Sequence, residues 1–363
     1  MKKILNKIIL TLNLVFVVFL LLSYISPLIS PEKIWILAFF GLAYPYILAI
    51  NVILVIYWAL MKNRYFLISL IAVLIGWGQI RKFLQIQIIN PGIPDTERHF
   101  KIMSYNVRMF DHYKWHGDTA TKNNILYFIS NEAPQIICFQ EFSGNDNADI
   151  RRNNLLERLF ETPHKHINYV SIHPDGNKLG IATFSTFPII NKGYIKFENS
   201  LNTAIYTDIK INADTVRVYN CHLQSIHLKK SSYDFMDSLI LKYNNKHFDE
   251  LKDISFRLKD AYIKRARQVD ILGDHIRSSG YPALVCGDFN DTPVSYTYRK
   301  MKGRFTDAFL KSGNGIGNTY LGNFPSFRID YIFHCKKIKS YNFETKRINW
   351  SDHYPVTCEM IIK

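Results

Sequence analysis

The stretch PALVCGDFNDTP runs from Pro282 to Pro293; it opens as an apolar strand and ends by delivering Asp288 and Asn290. Other apolar runs end in the same way, in a polar residue that core packing does not require. KIMSYNV delivers Asn106, QIICFQE delivers Glu141 and TVRVYNCHL delivers His222, while SFRIDYIF carries Asp330 and WSDHYPV adds Asp352 and His353. Carboxylates and an amide without a thiolate suit a hard ion, Mg²⁺ or Mn²⁺, rather than zinc. Two histidines and further acids supply proton transfer and charge stabilisation around a phosphoryl group. The chemistry that uses all of these together is metal-assisted attack of water on a phosphoester.

Such a set must be held by a frame. From about Lys101, strand-like and helix-like segments take turns: KIMSYNV, a helix around Thr121–Asn131, QIICFQE, and a helix around Ile150–Phe160. GIATFS, PIINKGYIKF, TAIYTDIKIN and TVRVYNCHLQS then follow as antiparallel neighbours across short turns. From about Ser231 to Ser278 the period is helical, with Gly280 as its stop, before PALVCGDF, RIDYIF and PVTCEMII return to strand. Many strands with few outer helices predict a two-sheet α/β sandwich. Strand ends that share one sheet edge bring their polar residues together, as in open α/β sheets.

The ordered series SYNVR, FQE, GIATFS-x-FPI, NCHLQS, GDFND, RIDYIF and SDHYPV resembles the endonuclease/exonuclease/phosphatase superfamily, with the deoxyribonuclease I-like fold, over about Lys101–Lys363. By that resemblance Asn106 and Glu141 bind the metal, Glu141 as principal ligand, and Asp352 is a second metal-proximal carboxylate. Asp288 orients or deprotonates the attacking water and Asn290 holds a phosphate oxygen. His222 stabilises the phosphate or protonates the leaving group. His353 is the other phosphate-contacting histidine, oriented by Asp330. Many relatives carry a basic residue where this chain has Thr186, which puts any contact made by that base in doubt.

Taken singly, each residue has an ordinary explanation. Asn106 can end a strand, His222 can be a satisfied core histidine, GDFND can be a turn and Asp352–His353 a surface loop; their joint occurrence in one order is what outweighs those explanations. The remaining polar features read as scaffold. His112, His116 and His164–His166 lie in loop-like sequence and read as solvated, with Trp115 and His116 near enough to border the site. Lys229, Lys230 and the basic helix through Arg267 read as solvated faces. Tyr320 and Phe327 read as core, and Arg328 as part of a structural pair beside Asp330. Five cysteines without paired spacing read as small buried hydrophobes.

The first 87 residues differ in kind. Ile8–Ile25 and Ile34–Met61 contain no charge, and each is long enough to cross a hydrocarbon layer of ~30 Å. A third run, Tyr65–Gly78, crosses only if Gln79 and Ile80 are drawn in. A basic start, MKK, is shared with signal peptides, but no A-x-A-like cleavage site follows. The expectation is a membrane anchor of two or three transmembrane helices over 1–87, a linker over 88–100 and a catalytic domain over 101–363. Lys2, Lys3 and Lys7 precede the first run, and Lys62 and Arg64 follow the second. Both clusters belong in the cytoplasm, so three crossings place the catalytic domain outside the cell membrane. Arg81 and Lys82 oppose the third crossing and Trp77 favours it as an interfacial aromatic.

The net charge of +15 is less informative than it looks, because residues 1–87 contribute +7 of it from eight basic residues and one acid. The function predicted is a membrane-anchored, Mg²⁺- or Mn²⁺-dependent phosphodiesterase of the nuclease type. Its partners are the bilayer and a phosphoester, whether nucleic acid, phospholipid headgroup or small phosphodiester. The alternatives are a sphingomyelinase-like phospholipid hydrolase, an inositol-phosphate phosphatase and a non-catalytic binder of a phosphorylated ligand. Transport is disfavoured, since the apolar runs hold no ionisable group.

Overall fold

A computed structural model describes residues 2–87, 92–94, 99–113, 120–144, 164–172, 174, 176–226, 246–321 and 327–363. The chain opens with helices α1 (Lys2–Ile25), α2 (Ile36–Leu42), α3 (Tyr44–Leu60), α4 (Phe66–Ile75) and α5 (Trp77–Ile80). Strand β1 (Leu84–Gln85) is followed by β2 (His99–Asn106), α6 (Thr121–Glu132), β3 (Ile136–Gly144), β4 (Lys165–Ile172) and β5 (Lys178–Ser185). Next come β6 (Ile189–Lys196), β7 (Thr203–Ile211), β8 (Asp214–His222), α7 (Lys246–Arg277), β9 (Ala283–Asp288) and α8 (Tyr296–Lys302). The last elements are β10 (Thr306–Asp307), α9 (Ala308–Ser312), β11 (Gly315–Ile316), β12 (Asp330–His334), β13 (Ile338–Thr345) and β14 (Val356–Ile362).

Among the described residues twelve strands form two six-stranded sheets, ordered β10-β12-β9-β8-β7-β6 and β13-β14-β2-β3-β5-β4, and β1 pairs with β11 in a small antiparallel ribbon. This is the expected two-sheet α/β sandwich. Each sheet contains one parallel pair, β8 with β9 and β2 with β3. A parallel pair needs a crossover, and α7 and α6 lie in those two connections. Both pairs therefore point their C-terminal ends the same way along their own sheet, which is where Asn106, Glu141, His222 and Asp288 stand.

Period-two alternation divides the strands between layers. Phe100, Ile102, Ile136, Cys138, Val216, Val218, Leu284, Cys286 and Ile332 meet between the sheets. Their neighbours in sequence turn outward. Tyr219, Val285, Tyr331 and Phe333 receive Val269 and Leu272 of α7, and Met103, Tyr105, Ile137 and Phe139 receive Ile125 and Ile129 of α6. Burying one such large side chain is worth roughly 1.5–3 kcal/mol. The cysteines are free, and all but the half-buried Cys335 are buried, as expected of small hydrophobes.

The N-terminal helices pack on one another through buried polar groups. Asn13 of α1 donates to Ser69 of α4, Ser69 donates to Asn51 of α3 at 3.0 Å, and Asn51 donates to the carbonyl of Phe16 at 3.0 Å. Large apolar side chains such as Ile4, Ile53, Leu60 and Ile75 stay exposed around them. Among the described residues, one helix, Lys3–Leu28, is long and apolar enough to cross a membrane. The run Ile34–Met61 is broken rather than continuous: α2 and α3 meet at 62°, because Pro45 occupies the first turn of α3 and cannot donate back into α2. The third run yields only the ten residues of α4 before Gly76.

The expected helix around Ile150–Phe160, Trp115, His116, Lys229, Lys230 and the start of the long helical stretch at Ser231 lie outside the described residues. One reading of a polar residue is corrected. His166 is buried, with Nδ1 3.0 Å from Thr207 Oγ1, because its strand is sandwiched rather than looped. Arg328 forms a structural pair, as expected, buried against Asp307 through two bonds of 3.2 and 2.8 Å.

Candidate active site

Asn106, His222, Asp288 and Asp330 continue the inward-facing alternation of their strands, directly after Cys286 and Ile332 for the two acids and beyond the buried Ser104 and Asn220 for Asn106 and His222. Their side chains therefore enter the gap between the sheets at its open edge. Glu141 breaks that rule. After Phe139, strict alternation would send Glu141 outward, but a β-bulge lies between Phe139 and Phe142, and Glu141 takes φ 49°. Phe142 consequently joins Phe139 on the outer face, and Glu141 is re-aimed inward. Asn290, also at positive φ (52°), turns the chain at the end of β9. Gly287 has φ +132°, and a Cβ there would lie 2.0 Å from the Cys221 carbonyl oxygen, so only glycine lets β8 and β9 approach this closely.

The amide of Asn106 donates to Glu141 Oε1 at 3.3 Å and to Asp288 Oδ2 at 3.1 Å, tying one sheet to the other. His222 Nε2 lies 3.8 Å from both Glu141 Oε1 and Asp288 Oδ2. Asp288 Oδ1 accepts the Asn290 backbone N–H at 2.8 Å, and Asn290 Nδ2 donates to the Leu223 carbonyl at 3.0 Å. His353 Nδ1 bonds to Asp330 Oδ2 at 2.9 Å, which leaves Nε2 facing Asp288 Oδ2 at 3.7 Å. Asp352 lies 3.5 Å from Arg108 Nε, and Ser351 Oγ donates to the Asn106 carbonyl at 2.8 Å. All the residues expected from sequence thus stand around one edge of the sandwich.

Charge crowding defines the electrostatics. Glu141 keeps 31% of its side chain exposed, yet it sits within a ring of protein atoms. Loss of solvation, with Asp352 and Asp288 adding to it against the opposing pull of His353, pushes its carboxyl up to about 7. Asp288 is raised by burial, an effect that His353 moderates. Burial works against a charged His353, but Asp330 and Asp288 overcome it and hold the imidazole well above its ordinary value.

Among the described residues, one group, Asp288, Asp330 and His353, has ligand atoms all within 4.8 Å of one another. Asn106, itself buried, stands beside it, and Glu141 lies on the more open side.

Several residues at this edge were not anticipated. Gln140 donates to Asn220 at 2.7 Å, forming a polar floor beneath the site between the two sheets. Tyr320 lines the site rather than the core: its ring meets the His353 ring edge-on at 5.2 Å. Arg265 was read as part of a solvated face but is 1% exposed; its guanidinium donates to the Asn290 carbonyl and lies 3.8 Å from Asp291. The signal was available, since Arg265 falls three residues after Tyr262 and four before Val269, on the apolar stripe of α7. Thr186 pairs with Gln135 at the start of β3, the end away from Glu141, so a base there would not reach the site.

Two sheets closed by helices, with an acid- and histidine-lined edge, define a phosphoesterase-type α/β sandwich. Residues 103–353 match the model of the endonuclease/exonuclease/phosphatase family, and the chain belongs to that family. Residues 6–83 match a domain of unknown function (DUF8431). No curated protein matches the chain significantly.

Solved structures share the fold at low identity. An endonuclease/exonuclease/phosphatase from Beutenbergia cavernae is 15% identical, with TM-score 0.54, over 73% of this chain and 72% of that one. A family protein from Leptotrichia buccalis is 16% identical, with TM-score 0.51, over 73% and 99%. The human Nocturnin catalytic domain with bound sulfate is 18% identical, with TM-score 0.52, over 74% and 97%.

Proposed function

We propose that this chain is a membrane-anchored, divalent-metal-dependent phosphodiesterase. The observation that carries the reading is the convergence of Asn106, Glu141, His222, Asp288, Asn290 and His353 on one edge of the sandwich from five separate stretches of chain. The donor set fits a hard cation. The carboxylates crowd closely enough to push Glu141 upward in spite of His353, and their ligand atoms are oxygens. Glu141, Asn106 and Asp352 would hold the ion. Asp288, Asp330 and His353 are closer together, but an ion there would have to break the 2.9 Å bond between Asp330 and His353 inside a buried pocket. A bound divalent cation supplies Lewis-acid polarisation of a phosphoryl oxygen.

The protein's own groups divide the remaining work. Asp288, fixed through Oδ1 by the Asn290 N–H, turns Oδ2 toward the cleft, where it accepts a proton from water. Asp330 accepts from His353 Nδ1 and, with Asp288, favours the charged imidazole, whose Nε2 then also carries a proton toward a phosphate oxygen. His222, across the cleft, protonates the leaving oxygen or steadies the phosphate. Asn290 contributes to phosphate placement.

Helices α1, α3 and α4 support an anchor of three crossings, joined by the Asn13, Ser69 and Asn51 contacts and ringed by apolar side chains. Lys2, Lys3, Lys7, Lys62 and Arg64 belong to the end away from the sandwich, which supports an extracytoplasmic catalytic domain. Val294, six residues beyond Asp288, packs in the cluster of Leu20, Tyr44, Ile47 and Ala72. A cleft this near the bilayer favours, as a second reading, a phospholipid headgroup diester over nucleic acid.

The test uses the full chain in detergent micelles, with bis-p-nitrophenyl phosphate and p-nitrophenyl phosphate, in Mg²⁺, Mn²⁺ or EDTA. Diester cleavage that needs metal and is lost in Asp288→Asn is expected. Preference for the monoester would make the protein a phosphatase, and absence of turnover in every condition would favour the binding-only alternative.

A further inference from the structure

We infer that the N-terminal helical bundle is a working part of the active site, clamping the loop that carries Asn290, and not only a tether. The inference rests on the catalytic role proposed above for Asp288 and Asn290. Three contacts from the bundle converge on the six residues after Asp288. Val294 is fully buried among bundle side chains. Lys82, at the bundle's exit, donates to the Pro293 carbonyl at 3.2 Å. Gly41 of α2 lies so close to the loop that a Cβ there would be 2.3 Å from the Val294 carbonyl oxygen and 2.6 Å from Ser26 Oγ.

A second path runs through the long helix. Phe39 of α2 packs edge-on against Tyr262 of α7 at 5.8 Å, the Arg265 guanidinium sits 4.7 Å from the Tyr262 ring, and Arg265 donates to the Asn290 carbonyl. From the opposite side, Tyr331 Oη donates to the Asp291 carbonyl at 2.8 Å.

Asn290 adopts a left-handed backbone conformation, one that Asn tolerates better than most residues, and its surroundings fix where that turn stands. Those surroundings are the bundle on one side, and Arg265 and Tyr331 on the others. The Asn290 N–H in turn fixes Asp288 Oδ1. Arg265 is thus a positioning residue, acting through the Asn290 carbonyl, and Gly41 is the point at which the bundle meets the loop. A misplacement near 1 Å at such a site can cost about 10²-fold in rate.

The experiment compares the full wild-type chain in nanodiscs with Gly41→Leu and with the pair Arg265→Ala and Arg265→Lys. It measures diester turnover with Mn²⁺ and amide hydrogen exchange. In Gly41→Leu, kcat should fall by about tenfold or more with KM within about twofold, and the amides of residues 289–294 should exchange faster while those of β4 and β5 do not. Arg265→Ala should show the same pattern, and Arg265→Lys should recover part of it.

Should Gly41→Leu fail to insert, Lys82→Ala takes its place with the same readouts. Unchanged exchange at 289–294, or unchanged kcat in a folded variant, would overturn the inference. A wild type without any turnover would instead defeat the catalytic reading, and exchange alone would then decide whether the bundle clamps the loop.

Discussion

A carboxylate packed among other carboxylates is unfavourable unless a cation answers it, and Glu141 is in that position beside Asp288 and Asp352. Glu141→Gln keeps the shape and still accepts from Asn106, but removes the charge. Metal-dependent diester turnover should fall by about 10³-fold or more, while the unfolding temperature moves by no more than about 2 °C. Calorimetry beside a rate assay checks this, and a large loss of stability would assign Glu141 a structural role instead. His166 offers a test away from the site. Burial, with Lys192 nearby, depresses its folded pKa to about 4 from an ordinary 6.5. Below pH 6.5 the unfolded chain takes a proton that the folded chain refuses until about pH 4, so this stabilisation is present above 6.5 and is lost as pH falls through that window. The stability of wild type relative to His166→Leu should therefore decline by ~3 kcal/mol between pH 7 and pH 4, read by denaturant titration at each pH. A difference independent of pH would show that His166 is protonated alike in both states.

The strands position the site because two parallel pairs, β2 with β3 and β8 with β9, bring four C-terminal ends to one edge. That much was legible in sequence: apolar runs of period two ending in Asn106, Glu141, His222 and Asp288 already suggested strand ends that converge. The side from which Glu141 approaches was not, because Phe139-Gln140-Glu141-Phe142 in strict alternation puts Glu141 outside, and only the bulge reverses it. Nor could local pattern show that Tyr320 would meet His353, since that contact depends on how a distant loop folds back. Composition and length alone read Ile34–Met61 as one helix, whereas Pro45 breaks it into α2 and α3. The narrowest point of this frame is Gly287, where a side chain would collide with Cys221 and require a backbone conformation unfavourable to L residues. Gly287→Ala should cost on the order of 3 kcal/mol and should lower turnover further by displacing Asp288 from His222. Chemical denaturation and kinetics on the same sample check both effects, and a change under about 0.5 kcal/mol would mean that β8 and β9 are not held as tightly as they stand.

At the scale of the whole molecule, the anchor proposed above makes the number of crossings decide which substrates the site can meet. Helix α1 is long enough to span, and α2 with α3 can cross as a bent pair, but α4 supplies ten residues, about 15 Å of helix, against ~30 Å of hydrocarbon. Two observations favour a crossing despite this shortfall. Ser69 of α4 is buried against Asn13 and Asn51 within the bundle, and Tyr24 near the end of α1 donates to the Ala72 carbonyl at 3.0 Å, so α4 runs back along α1 toward the sandwich. With Trp77 at its exit, α4 and α5 together can reach the interface through local bilayer thinning, at a modest cost per ångström. The two termini should then lie on opposite sides. Epitope tags joined to Met1 and Lys363, with protease added to intact spheroplasts, should show the N-terminal tag protected and the C-terminal tag digested. That result would give the catalytic edge access to outer-leaflet headgroups and extracellular phosphodiesters. Protection of both tags would make α4 a re-entrant segment, place the catalytic domain in the cytoplasm, and return nucleic acid and cytoplasmic phosphoesters to the front of the substrate search.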